Sequence, residues 1–314
     1  MTKQEEIQKL KEEKDAVILA HYYVRPEVQE AADYIGDSYF LSRKAGELPH
    51  RTIVFAGVTF MGESARLLNP EKTVLMPDME ADCPMAHMVT KETVERASAQ
   101  YEDLAVVCYI NSTAEIKSWS DVCVTSANAV RIVKNLPNRN ILFIPDRNLA
   151  HFVAEKVPEK QFIYNDGYCP VHEHIKVEEI RELGRQHPDA RVLAHPECSS
   201  AVLAAADYIG STSGMIDYVR KSEAASFIIG TESGVGCALR QARGDAAFFF
   251  PRTEPVCAGM KLVTLDKIID VLRNGGNEMK MDDRQTSAAA KQTLTRMLEL
   301  GKGMEIKNDK RAVL

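Results

Sequence analysis

Short apolar runs recur along this chain, separated by amphipathic stretches. AVILAHY (16–22), RTIVFAG (51–57) and KTVLMPD (72–78) are short, rich in β-branched residues and flanked by polar or turn positions. Such runs suit parallel strands covered on both faces. Between them, EVQEAADY (27–34) and MGESARLL (61–68) carry their apolar residues at helical spacing. Pro26 stands where the first of these helices should begin, a position that tolerates proline. Strand and helix alternate, which predicts a parallel sheet with right-handed crossovers.

The same text is then written again. ADYIG occurs at 32–36 and at 206–210, and residues aligned outward from it agree. AHYY (20–23) meets AHPE (194–197), and KTVLMPD meets AAFFFPR (246–252). A third, more diverged copy lies between them, through CYIN (108–111), SDVCVTSANA (120–129), RNILFIPDRNLAHF (139–152) and KQFIYND (160–166). His21, Tyr109 and His195 keep one register position, and Asp33, Asp121 and Asp207 keep another. A helical stretch closes each copy: TKETVERA, KVEEIREL and TLDKIIDVL. The pattern predicts an α/β protein of three pseudo-symmetric Rossmann-like αβα domains. Their parallel sheets would surround a central active site. The expected divisions are 1–103 with an N-terminal helix, 104–190, 191–280, and a C-terminal helical tail at 281–314.

Three cysteines keep step with the repeat: Cys83 in PDMEADCPMAH, Cys169 in YNDGYCPVH and Cys257 in PRTEPVCAGMK, each just past the fourth strand of its copy. If the copies face one axis, three thiolates converge. That number suits an iron–sulfur cluster with one iron left free of protein. Zinc competes, although structural zinc sites usually close with four ligands, often in CxxC pairs, and the chain has no CxxC. Three buried structural cysteines are the plain alternative. Cys108, Cys123, Cys198 and Cys237 fall outside the register and read as structural.

A ring of polar residues follows the same symmetry. The first strands end in His21-Tyr22-Tyr23, Tyr109-Ile110-Asn111 and His195-Pro196-Glu197. The second strands lead into Asp37-Ser38, Thr125-Ser126 and Ser211-Thr212. Hydroxyls at strand-to-helix junctions can cap helices or hold anions. Repeated three times beside the cysteines, they point to clamps for carboxylates or phosphate.

Composition narrows the class. A net charge of −6 argues against a nucleic-acid groove or an anionic membrane surface. No apolar run is long enough to span a bilayer, and the charged start, MTKQEEIQKLKEEKD, is not a signal peptide. The expected location is cytoplasmic. Seven cysteines in a reducing compartment argue against a disulfide framework. The charge runs at 3–15 and 302–311 read as solvated faces or tails.

Taken together, AHYYVRPEVQEAADYIGDS, CYINSTAEIKSWSDVCVTSANA, CPVHE, AHPECSSAVLAAADYIGSTSGM and CAGMKLVTLDKI resemble the quinolinate synthase family of bacterial and archaeal NAD biosynthesis. The likeness covers about 16–275. It implies three pseudo-symmetric α/β domains around a [4Fe–4S] cluster held by three cysteines, here Cys83, Cys169 and Cys257. It implies condensation of iminoaspartate with dihydroxyacetone phosphate to quinolinate, phosphate and water, coupled in function to an enzyme that makes iminoaspartate. Carried over by position, the substrate contacts would be His21, Ser38, Tyr109, Ile110, Asn111, Ser126, His195, Pro196, Glu197 and Thr212. Tyr23 and Glu197, with His21 and His195, would be the catalytic groups. The chain departs from the family in two places: Asn165-Asp-Gly-Tyr-Cys169 lacks a tryptophan, and Asp82 stands where glycine is common before Cys83. Other three-repeat iron–sulfur enzymes share this plan, namely a reductive dehydroxylase of isoprenoid synthesis and the diphthamide enzyme that cleaves S-adenosylmethionine. The HPE and YIN segments favour the first reading. An iron–sulfur sensor would need an output surface, such as a basic DNA-binding module, and none is evident.

Overall fold

The computed structural model describes residues 2–302. The predicted triplication holds. Unit one contributes β1 (Ala16–His21), β2 (Tyr34–Gly36), β3 (Thr52–Ala56) and β4 (Thr73–Leu75). Unit two contributes β5 (Leu104–Tyr109), β6 (Val122–Val124), β7 (Asn140–Ile144) and β8 (Gln161–Tyr164). Unit three contributes β9 (Arg191–Ala194), β10 (Tyr208–Ile209), β11 (Ser226–Gly230) and β12 (Ala247–Phe249). Each sheet has four parallel strands, and the order is the same three times: second, first, third, fourth. The first strand is therefore central, which is why AVILAH is buried at every position.

The in-register aspartates explain the repeated ADYIG. Asp33 donates its backbone N–H to Ile18 O (3.0 Å) and accepts from Ile18 N–H through its carboxylate (2.8 Å). Asp121 holds Val106 in the same way, at 2.9 and 2.7 Å, and Asp207 holds Val192 at 2.8 and 2.8 Å. Each is a two-point clamp. It fastens the entry to the second strand onto the edge of the first and satisfies backbone groups that the ladder leaves open.

One continuous apolar core runs through the first two sheets, while the third sheet carries a separate cluster on each face. The N-terminal helix Lys3–Lys14 is more than a solvated face. It begins with a capping box from Thr2 and Glu5, buries Ile7 and Leu10, and pairs Lys11 with Asp33 at 2.5 Å. It packs against the helix Leu265–Asn274. Of the expected tail, the helix Arg284–Leu300 packs on the helices Ala114–Ser118 and Thr59–Leu68 and on β6. Apart from Lys302, the charge run at 302–311 lies outside the described residues, as does the remainder of the tail. No helix among the described residues is long and apolar enough to cross a membrane.

Candidate active site

Parallel strands deliver their carboxyl ends to one side of each sheet, and here the three sets of ends line one cavity. Its walls include His21, Tyr23, Ser38, Tyr109, Asn111, Ser126, His195, Glu197 and Thr212 together with Cys83, Cys169 and Cys257. Of the residues expected from sequence, Ile110 and Pro196 alone stand off the cavity wall. Both are buried between neighbours that reach it.

The cysteines are presented alike. Each is the N-cap of a four-residue helix: Cys83 before Pro84–His87, Cys169 before Pro170–Glu173 and Cys257 before Ala258–Lys261. Their backbones are all extended, at φ/ψ −115/111, −79/115 and −84/105°. Backbone N–H groups of the following turn face each sulfur and favour its thiolate: Ala86 and Met85, His172, and Met260 and Gly259. Burial opposes this and pushes all three thiols up. The nearby Cys257 adds to the rise at Cys83, Glu197 and Cys83 add to it at Cys169, and Glu232 does so at Cys257. Three crowded sulfurs of this kind need a cation to ionise together.

The histidines at the ends of β1 and β9 are set by one device. Tyr23 N–H donates to His21 Nδ1 at 3.2 Å, and Glu197 N–H donates to His195 Nδ1 at 3.3 Å. A neutral ring that accepts at Nδ1 carries its proton on Nε2, so both present an Nε2–H. His195 donates its own to Ser126 Oγ at 3.2 Å. Burial holds both imidazoles down at about 3. Mutual repulsion and Lys261 help at His21, and His172 helps at His195; at both, Glu197 pulls the other way.

Tyr23 and Glu197 occupy the same register position in units one and three, where unit two has Asn111. Their environments separate them. Burial drives the Tyr23 phenol well above its usual range, although Thr212 and Thr231 oppose the rise with hydrogen bonds at 2.7 and 2.8 Å. Burial also acts to raise the Glu197 carboxyl, but the His195 and His172 imidazoles override it and hold the group at about 2. One is a neutral acid and the other a carboxylate.

Ser38, Ser126 and Thr212 are not helix caps, the plain alternative to the clamp reading. Asp37 and Ser211 are the side-chain caps of the helices Ser38–Glu47 and Thr212–Lys221, so Ser38 and Thr212 stand at the first helical residue. In unit two the helix starts later, at Ala129, and Ser126 is left to meet His195.

Sequence reasoning missed four side chains here. His172 Nδ1 lies 2.7 Å from Glu197 Oε2 and 3.2 Å from Cys169 Sγ, and its ring stacks on His195. His172 Nε2 meets Thr231 Oγ1 at 2.8 Å. Asp146 accepts from Cys169 N–H at 3.0 Å, and Glu232 accepts from Cys257 N–H at 3.2 Å. Glu232 also pairs with Lys261 at 2.7 Å. Register holds a signal for the two acids, since both follow the third strand of their unit by two residues. It holds none for His172 or Thr231. Cys169, His172 and Glu197 also form a donor group, with ligand atoms within 4.8 Å of one another.

Fold and cavity together define the class: a three-unit α/β enzyme whose buried, thiol-walled site lies where its sheets converge. Comparison with known proteins gives the particular family. The family model described as "Quinolinate synthetase A protein" matches residues 5–299. A quinolinate synthase of Fusobacterium nucleatum is 50% identical over 294 residues, covering 94% of this chain and 98% of the relative. One from Clostridioides difficile is 46% identical over 298 residues, covering 95% and 98%. Quinolinate synthase 2 of Methanosarcina acetivorans is 48% identical over 296 residues, covering 94% and 95%. The chain belongs to the quinolinate synthetase A protein family.

Proposed function

We propose that the chain is a quinolinate synthase. It would condense iminoaspartate with dihydroxyacetone phosphate to quinolinate, phosphate and water, with Cys83, Cys169 and Cys257 holding a [4Fe–4S] cluster. The observation that carries this reading is the matched set of cysteine caps on one cavity wall, facing a ring of imidazoles and hydroxyls. The donor set fits the group, because three soft sulfurs, each met by backbone N–H groups, are the ligands that iron–sulfur centres take. When bound, the cluster supplies a Lewis-acidic iron for a substrate oxygen.

The chain's own residues supply the rest. The Nε2–H of His21, and that of His195 once it leaves Ser126 Oγ, can hold carboxylate or carbonyl oxygens without burying a charge of their own. The helix starts at Ser38 and Thr212 offer backbone N–H groups and hydroxyls to phosphate or carboxylate. Fixing two substrates in one cavity replaces a bimolecular encounter, worth about 7–11 kcal/mol at best. Tyr23 as a neutral acid and Glu197 as a carboxylate form an acid–base pair split by environment. An enclosed site also protects the imine from hydrolysis. An enzyme that oxidises or dehydrates an amino acid to the imine would act upstream.

A second reading rests on the Cys169, His172 and Glu197 group. Mixed sulfur, nitrogen and oxygen donors suit a single zinc. Anaerobic purification separates the two readings. A brown protein with iron and acid-labile sulfide, turning the two substrates into quinolinate, supports the first. A colourless, active protein with one zinc establishes the second. Cys169→Ser should strip iron and sulfide together, and an unchanged iron content would remove Cys169 from the ligand set.

A further inference from the structure

The three cysteines stand between two cavities. One is the substrate site, of about 70 Å³. The other holds about 610 Å³ and is walled by the short helices that carry Cys83, Cys169 and Cys257. The two share those cysteines and Val171 and no other wall, so the second opens on the outer side of the sulfurs. Their linings contrast. His21, Tyr109, His195, Glu197 and Thr212 on the substrate side are buried, whereas Glu80, His174, Glu254, Val256 and Leu262 on the outer side are exposed. The outer mouth is preformed. Gly259 packs so closely on the Asp82 carbonyl that no side chain fits between them, which joins units one and three at its edge.

Its rim has the make-up of an interface. Among the described residues only four large apolar side chains are exposed: Met79, Tyr164, Val256 and Leu262. Val256 and Leu262, 41% and 37% exposed, both line this mouth, and Met79 adjoins it through Glu80. Pro84, Pro170 and Pro255 extend the apolar wall. Scattered singly, such groups need no explanation. Gathered around one opening and rimmed by charge, they mark a place where another protein sits. The free charge has one sign. Glu80 and Glu254 are exposed and have no cationic partner among the described residues. The nearby cations are engaged: Arg252 lies 3.8 Å from Glu182, His87 bonds Asp82 at 2.7 Å, and His174 holds its Nδ1 against Pro170 O. A partner that complements this surface is apolar at its tip and basic around it.

We infer that the outer mouth is the docking site of a carrier protein with such a surface, which hands the iron–sulfur cluster to the three cysteines. The sulfurs are the reactive groups that the mouth opens onto, and soft thiolates are what a cluster binds. The substrate side does not serve, because its buried lining leaves no surface for a protein to approach. The handover is ligand exchange. Each iron–thiolate bond broken on the carrier is replaced by one to Cys83, Cys169 or Cys257. Each proton lost by a thiol here is taken up by the departing thiolate. The cluster keeps its electrons, so no oxidant or reductant is consumed. Loading from this side also leaves the imidazoles and hydroxyls of the substrate wall undisturbed.

The inference rests on the three-cysteine cluster of the proposed function, and the experiment keeps the two apart. Full-length apoprotein is mixed anaerobically with a scaffold protein loaded with [4Fe–4S], in the presence of a ferrous chelator that traps free iron. The two proteins are then separated, and iron and sulfide on this chain are measured. Delivery should survive the chelator. Val256→Asp with Leu262→Asp should slow it about tenfold, and Glu80→Lys with Glu254→Lys about fivefold with a flatter salt dependence. Given free ferrous iron and sulfide without carrier or chelator, both pairs should load within about twofold of the wild-type rate, since these side chains touch only the carrier. Delivery that fails or is lost in chelator, or that neither pair slows, overturns the docking site. Equal slowing of delivery and of free-ion loading overturns it too. A dimer that Leu262→Asp dissolves, read by sedimentation, overturns it in favour of a second copy of this chain. Wild-type apoprotein that takes up no cluster from either source removes the cluster reading itself.

Discussion

Unit one differs from units two and three at the residue behind its cysteine. Asp146 and Glu232 take the backbone N–H of Cys169 and Cys257, while the matching position in unit one is the buried Val58. Asp146 is held by the N–H groups of Leu149 and Cys169, and burial together with Glu197 drives its carboxyl well up. Glu232 is also pushed up by burial, but Lys261 works against the rise. The backbone repeats three times and the charge does not. Symmetry sets where the sulfurs stand, and asymmetry sets the field around them.

The sharpest way to break this contrast is Glu232→Gln. It leaves Lys261 facing a neutral amide in a largely buried place, and loss of one partner of such a pair costs about 3–5 kcal/mol. The melting temperature should fall by several degrees, and Lys261→Met added to it should recover part of the loss. A melting curve unchanged by Glu232→Gln would mean that the pair is energetically idle.

Acid should act next. His21 and His195 are held neutral down to about 3, against about 6.5 in an unfolded chain. A depressed folded pKa stabilises fully above the unfolded value and loses that contribution as pH falls through the folded one. Stability should therefore decline from about pH 6.5 toward 3, with Glu197 adding to the decline below the usual carboxylate range. The raised carboxyls of Asp37, Asp146 and Glu232 work in the opposite sense, because their contribution is complete in acid and fades as pH rises. His21 also faces His195, Glu197 and Lys261, so His21→Asn should flatten the acid limb without abolishing it. Melting temperature against pH reads both effects.

Asp146→Asn turns one acceptor into a donor, opposite Leu149 N–H or Cys169 N–H, and should cost about 1–3 kcal/mol. It should also lower metal occupancy at Cys169. Val58→Ala, at the matching place in unit one, should lower stability by about 1 kcal/mol through lost apolar contact and leave metal content unchanged. Equal metal loss in both variants would erase the contrast. Asp121→Ala should cost no more than Val58→Ala, about 1 kcal/mol, because it removes only the carboxylate half of one two-point clamp at an exposed aspartate. Urea unfolding curves would measure it.

Much of this was legible from one sequence because repetition exposes function. Cys83, Cys169 and Cys257 stand out by register, as do His21 with His195 and the hydroxyls of Ser38, Ser126 and Thr212. His172 and Thr231 do not. Their counterparts are Ala86 and Met260, and Gly57 and Pro145, so nothing in the other copies flags them. A lone histidine and a lone threonine after a strand have many ordinary uses, and only their distances to Glu197 and Tyr23 place them at the site. The caps were less legible: Ser38 and Thr212 stand one residue past the actual caps, Asp37 and Ser211, and in unit two the helix begins only after Asn128.

The sequence by itself determined the number of units, their strand–helix order and the three equivalent cysteine positions, because hydrophobic period and repeat register are properties of a line. Tertiary structure decided which unlike residues meet across units. Proton states at His21, Tyr23 and Glu197, the contacts of Thr231 with Tyr23 and His172, and the acids behind two of the three cysteines all depend on burial and distance. Those quantities come into being only when residues far apart in the chain are packed together and water is excluded from between them.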